Sequence, residues 1–222
     1  MLKQFPWYQL ASTTESISVA PKMPKKPNPS NAAAPATAPA EGERRALRGY
    51  IGQYERAGAA IYAALERDEL LWIGVADRNA GIADDLVLGF DGLVVGHQFK
   101  TSKFPGTFTV GTLFIGANGL LKPLVHAWQC LRKDNPGSRV EIRLVVNDFP
   151  STTDKPGDGS PPHSAAFLEE FQQHANRSLE DWYTPEWRRL IDHLRREAGL
   201  SDGDFEQFLH SLRVVYGAAA DF

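Results

Sequence analysis

From Arg48 to Asp68 the apolar residues Tyr50, Ile51, Tyr54, Ala57, Ile61, Ala64 and Leu65 recur at helical spacing, which predicts a helix. Leu70 to Val75 (LLWIGV) is a short unbroken apolar run and suits a buried strand. Residues 76–83 carry glycine and asparagine and read as a loop. In DDLVLGFDGLVVGHQFKTS two apolar runs flank Asp91-Gly92, the signature of a two-residue β-hairpin. Residues 105–116, rich in Gly, Thr and Phe, hold a loop and a short turn. Residues 117–134 read as a helix that starts properly near Lys122-Pro123, because proline suits the first helical position. Arg139 to Val146 alternates and predicts a strand, and the four prolines of 148–163 predict a long loop. From Ser164 onward the pattern is helical in three pieces: 164–175, 184–198 and 202–213.

This order predicts an α/β fold, a mixed sheet flanked by helices with a helical C-terminal extension. Residues 1–44 read as a disordered tail and linker, since PKMPKKPNPSNAAAPATAPAEG (21–42) has almost nothing to bury. Upstream of it Phe5, Trp7 and Tyr8 either dock onto something or belong to a frayed end. The core is expected over 45–150 and a loop over 151–163. Residues 164–222 are an extension of that core or the start of a following module. There is no internal repeat.

Composition narrows the function only a little. The 222 residues carry a formal net charge of -3, so the chain does not bind nucleic acid through bulk basicity and would need a local patch. The single cysteine, Cys130, excludes a disulfide framework and a cysteine-based zinc site, and reads as a buried small hydrophobe. Neither a signal peptide nor a membrane-spanning run is present, so the expected location is cytoplasmic, with no membrane partner.

The hairpin is where chemistry concentrates. With Asp91-Gly92 as the turn, Phe90 faces Leu93, Asp85 faces Gln98, and Lys100 is the diagonal neighbour of Asp85. One face then carries Asp85, Val87, Gly89, Val94, Gly96, Gln98 and Lys100. The greasier face, with Leu86, Leu88, Phe90, Leu93, Val95, His97 and Phe99, is expected to pack into the core. A bulge or a longer turn would shift the register by one and favour Asp84. An acid, an amide and an ammonium grouped in this way suit phosphodiester cleavage. The Asp85 carboxylate, the Gln98 amide oxygen and the Phe99 backbone carbonyl offer oxygen ligands to Mg²⁺ or Mn²⁺. The lysine would orient the attacking water or neutralise developing charge. A solvated strand end with a weak ion pair explains the same three residues without catalysis.

The run RGYIGQYERAGAAIY, a strand, the acid pair of DDLVL and the hairpin into HQFKTS resemble a known family over residues 45 to about 150. It is the double-stranded-DNA endonuclease domain of the CD-NTase-associated antiviral effectors, part of the PD-(D/E)XK restriction-endonuclease-like superfamily. In these relatives the motif commonly takes a Gln-x-Lys form, which Gln98-Phe99-Lys100 matches, and the helical aromatic-plus-glutamine is matched at Tyr50 and Gln53. The resemblance implies Asp85 as principal metal ligand with Asp84 beside it, Gln98 where the wider superfamily has Glu or Asp, and Lys100 as catalytic lysine. Gln53 and Asp77 would be accessory residues, although relatives usually show Glu immediately after the strand. The implied activity is metal-dependent cleavage of double-stranded DNA by the effector domain of a prokaryotic antiviral defence protein. A regulatory sensor or NTPase module would accompany it. No P-loop pattern occurs in the chain, so that module is expected in a longer protein or in a separate chain.

Lys103, Arg132 and Lys133 are candidate phosphate contacts, with the last two also suited to a helix C-terminus. Arg188, Arg189, Arg195 and Arg196 read first as a solvated face and second as part of a DNA groove. His97 is expected as a satisfied, half-buried histidine, and Trp128, Trp182 and Trp187 as packing residues. Two rival readings stand beside the nuclease. One is an inactive nuclease-like module that binds nucleic acid or a partner protein. The other is an interaction module whose helical C-terminus makes a homo-oligomer.

Overall fold

The computed structural model describes residues 41–67, 69–76, 78–83, 85–102, 104–154 and 163–217. Asp77, Asp84 and Lys103, and the tail and linker up to residue 40, lie outside these.

Helix α1 (Glu41–Glu66) is followed by strand β1 (Trp72–Gly74), 3-10 turns over Arg78–Ala83, and a hairpin of β2 (Leu86–Phe90) and β3 (Leu93–Lys100). Next come β4 (Thr107–Phe108), α2 (Val110–Phe114), α3 (Leu121–Asp134), β5 (Arg139–Val146) and β6 (Phe149–Pro150). Helices α4 (Ser164–Gln173), α5 (Leu179–Trp182), α6 (Arg188–Ala198) and α7 (Asp202–Ser211) lead into strand β7 (Leu212–Tyr216). Among the described residues no helix is long and apolar enough to cross a membrane.

The five-stranded sheet has the order β1-β2-β3-β5-β7. Its first three strands form an antiparallel meander, and β5 and then β7 add in parallel. A parallel neighbour needs a crossover, and α3 supplies the one between β3 and β5. Strands β4 and β6 form a separate small parallel pair. The hairpin has the expected register, with Phe90 opposite Leu93 and Leu86 opposite His97. Gly92 takes a positive φ of 66°, which suits glycine in the turn.

Both faces of the sheet are buried, which corrects the expectation of one greasy and one partly polar face. Val87 and Val94, from the face not expected to pack into the core, enter the larger core with Val140, Ile142, Leu144, Leu212 and Val214. Helix α3 and the C-terminal helices complete that core through Leu124, Trp128, Leu168, Ile191 and Phe208. Gly96 lets α3 come close: a Cβ there would lie 2.8 Å from Leu131 Cδ1 and 3.0 Å from Ala83 Cβ. On the other face Leu86, Leu88, Phe99 and Val145 pack under Ala57, Ala60 and Ala64 of α1. The predicted α1 stripe is corrected as well. Its alanines face the sheet, spaced three and four apart, while Tyr50, Ile51, Tyr54 and Leu65 are exposed.

Two further expectations give way. LLWIGV is an edge strand rather than a buried one, with Trp72 40% and Ile73 44% exposed, because among the described residues no strand pairs with its outer side. The C-terminal stretch, read as wholly helical, ends in β7. That strand pairs with β5 from Ile142↔Leu212 to Val146↔Tyr216, so residues 164–217 share the sheet and core of the preceding segment.

Candidate active site

Strand pairing ends at Leu86, and Asp85 is the next residue outward, level with Gln98 in the hairpin register. Its carboxylate turns onto β3. Asp85 Oδ2 accepts from Gln98 Nε2 at 2.5 Å and from the backbone N–H of Phe99 at 2.7 Å. Gln98 Nε2 donates its second proton toward the Phe99 carbonyl at 3.2 Å. From α1, Gln53 Nε2 reaches the same carbonyl at 3.4 Å. Three segments of chain therefore meet at the open end of the hairpin. Gln98 is buried there, and Lys100 lies exposed at the tip of β3 beside Val146.

This arrangement bears on a metal ion. Asp85 Oδ2 and the Phe99 carbonyl oxygen face one positively polarised N–H₂ group, the electrostatic situation that a cation between them would also satisfy. The carboxylate and the carbonyl are hard oxygens of the kind that suits Mg²⁺ or Mn²⁺, and the Gln98 amide oxygen would join them only with the side-chain amide turned over, since its N–H₂ group now faces them. Their formal charge from the described residues is low, since Asp85 is the one carboxylate among them. Among the described residues no group of three or more His, Cys, Asp and Glu is placed to hold a metal ion. The residues present fit a weakly held, oxygen-liganded ion.

Polar residues that the sequence reading did not single out stiffen this end of the sheet. Ser102 N donates to Asn147 Oδ1 at 2.8 Å, and Asn147 Nδ2 donates back to the Ser102 carbonyl at 2.7 Å. Asp148 Oδ1 accepts from Ser102 Oγ at 2.7 Å and from Gly106 N at 2.8 Å. The chain just past Lys100 is thus stapled to the end of β5. The available signal was the abrupt change from VV to ND at residues 145–148.

Arg132 and Lys133 are not brought to this place. They end α3, and Arg139 N donates to the Gly92 carbonyl at 2.8 Å, so the α3–β5 connection sits beside the hairpin turn. The length of β3, about 23 Å at ~3.3 Å per residue, separates that end from Lys100. Arg132 instead lies 4.5 Å above the Trp128 ring. The α6 arginines are largely solvated, with Arg195 paired to Asp202 and Arg188 over Tyr183. Trp128, Trp182 and Trp187 are core residues as expected.

His97 departs from its expected role. It has no exposed surface, and neither ring nitrogen has a hydrogen-bond partner. Burial, with help from the nearby Arg143 charge, lowers its pKa from 6.5 to about 3. The carbonyls of Leu86 and Val95 act in the opposite sense without reaching hydrogen-bond geometry. The ring lies on the α1 side of the sheet, opposite Gln98.

A scan against protein-family models finds no match to this chain, and searches of the curated proteins and of the solved structures find no similar protein either.

Proposed function

We propose that the chain is a metal-dependent endonuclease that cleaves double-stranded DNA, with its centre at Asp85, Gln98 and Lys100. The observation that carries this reading is the convergence of the Asp85 carboxylate, the Gln98 side chain and the Phe99 carbonyl at the open end of the hairpin. The order helix, antiparallel meander, helix, parallel strand also agrees with a restriction-endonuclease-like core. A bound Mg²⁺ or Mn²⁺ would polarise a phosphoryl oxygen and acidify an attacking water. Asp85, held by the Phe99 N–H, would fix the ligand set in place. The Lys100 ammonium, on an exposed strand tip, would neutralise charge building on the phosphate. The family resemblance extends the proposal to an antiviral effector under the control of a sensor or NTPase module.

The test is plasmid cleavage by the full chain with Mg²⁺ or Mn²⁺ and with EDTA, beside Lys100→Ala. The expected result is cutting that EDTA abolishes and that the variant slows by about 10² or more. Because Lys100 is exposed, the variant should keep wild-type stability to within ~0.5 kcal/mol. Cutting at the wild-type rate by the variant, or in EDTA, would remove the hairpin from the mechanism.

A second reading, an inactive nuclease-like module, is favoured by one observation. The group facing Asp85 is an amide that already donates to it. Binding to duplex DNA without cutting, weakening steeply with salt, would select that reading.

A further inference from the structure

The alanine row that seats α1 on Leu86, Leu88 and Phe99 does not close the whole of that sheet face. Toward the C-terminal end of α1 a cleft of about 590 Å³ opens between helix and sheet. Its apolar lining includes Ala60 and Ala64 of α1 and Leu88 and Val95 of the sheet. His97 and Arg143 also line it, side by side in the parallel register of β3 and β5, and Arg67 comes from the end of α1.

Two features mark this as a place for a ligand rather than a packing gap. The His97 ring lines the cleft with both nitrogens buried and unpaired, and buried polar groups in folded proteins are otherwise nearly always hydrogen-bonded. Arg143 is also pre-set. The buried Glu141 accepts from its Nε at 2.6 Å, which orients the guanidinium and leaves its terminal nitrogens without a bond among the described residues. A fork held in this way suits an oxyanion. Glu69 and Asp91 also border the cleft and disfavour a polyanion. The volume is in the range of sites that enclose small molecules.

We propose that this cleft binds a small organic monoanion. Its apolar body would lie on Leu88, Val95 and the α1 alanines, and its acid group on Arg143 and Arg67, over the buried His97 ring. The site is separate from the hairpin chemistry and does not depend on the nuclease reading.

1-Anilinonaphthalene-8-sulfonate, an aromatic body with one sulfonate, is the probe, titrated by fluorescence against the full chain. Neutral N-phenyl-1-naphthylamine serves as comparison. Saturable one-site binding of the sulfonate is expected, with the neutral compound about tenfold weaker. Arg143→Gln should remove most of that difference. Ala63→Trp, at a partly exposed position lining the cleft, should abolish binding of both probes while the thermal melt stays cooperative. Non-saturable binding overturns the proposal, and so does binding that survives Ala63→Trp. Equal affinity for the two probes overturns its anionic part. If Arg143→Gln fails to fold, the sulfonate-over-neutral preference together with Ala63→Trp decides the question.

Discussion

Gln98 stands where a second carboxylate would double the negative charge on this end of the hairpin, and its amide instead donates to Asp85. Gln98→Glu would set two carboxylates against each other. Without divalent ions that repulsion should cost on the order of 1–2 kcal/mol. With Mg²⁺ the added oxygen and charge should more than recover it. Thermal melts in EDTA and in millimolar Mg²⁺ should therefore show a large metal-dependent rise for the variant and a small one for the wild type. No rise in either protein would mean that these oxygens do not hold a cation. At His97 the linkage runs in a definite direction. The folded-state pKa is about 3 against 6.5 for the free group, so below pH 6.5 the unfolded chain binds a proton that the folded chain refuses. Stability is lost as pH falls through that window, by about 2 kcal/mol near pH 5. His97→Phe should flatten this part of the profile, which urea unfolding of both proteins between pH 7.5 and 5 would reveal. Parallel profiles would show that the buried ring does not titrate as described.

Among the elements, the hairpin and β5 were legible because their determinants are local. A two-residue turn sets every later pairing, which is why Asp85 could be placed opposite Gln98 from residue order alone. The alternation of RVEIRLVV coincides with β5, Arg139–Val146. What the alternation could not tell was how closely a helix would approach. Gly96 is needed for the contact with Leu131 and Ala83 of the larger core. Gly96→Val should cost about 1–3 kcal/mol by overpacking, read as a lower denaturation midpoint at unchanged slope. A variant as stable as the wild type would show that α3 can shift outward freely. Helix α1 was legible as a helix but not in its orientation. Its large apolar residues suggested the buried face, yet the small ones allow the close seat on the sheet, and the tyrosines remain outside.

At the scale of the whole molecule, β7 ties the C-terminal helices into the sheet. Leu212 and Val214 are buried, the strand covers the outer edge of β5, and Gln172 of α4 donates to the Val214 carbonyl at 2.7 Å. Helices α4, α5 and α7 contribute Phe167, Trp182 and Phe205, and the residue before α6 contributes Trp187, to the same core as the hairpin. A chain truncated after Ser211 should lose cooperative unfolding and become sensitive to limited proteolysis throughout. It would uncover a strand edge and the apolar surface beneath it. Cooperative melting of the truncated chain at the wild-type temperature would instead make β7 an accessory.

The sequence by itself determined the alternation of elements through β5, the hairpin register and the residues that could meet at its open end. Each of these depends on neighbours a few positions away, through turn geometry and side-chain period. Only the tertiary structure decided that both sheet faces are buried, that LLWIGV is an edge, and that LRVVY is a strand rather than the end of a helix. It also decided that Arg132 and Lys133 lie a sheet's length from Asp85, and that His97 is buried on the α1 side of the sheet without a partner. These outcomes turn on segments distant in the chain, and residues such as Val214 take the conformation that completes a neighbour's hydrogen bonds rather than the one their local pattern prefers.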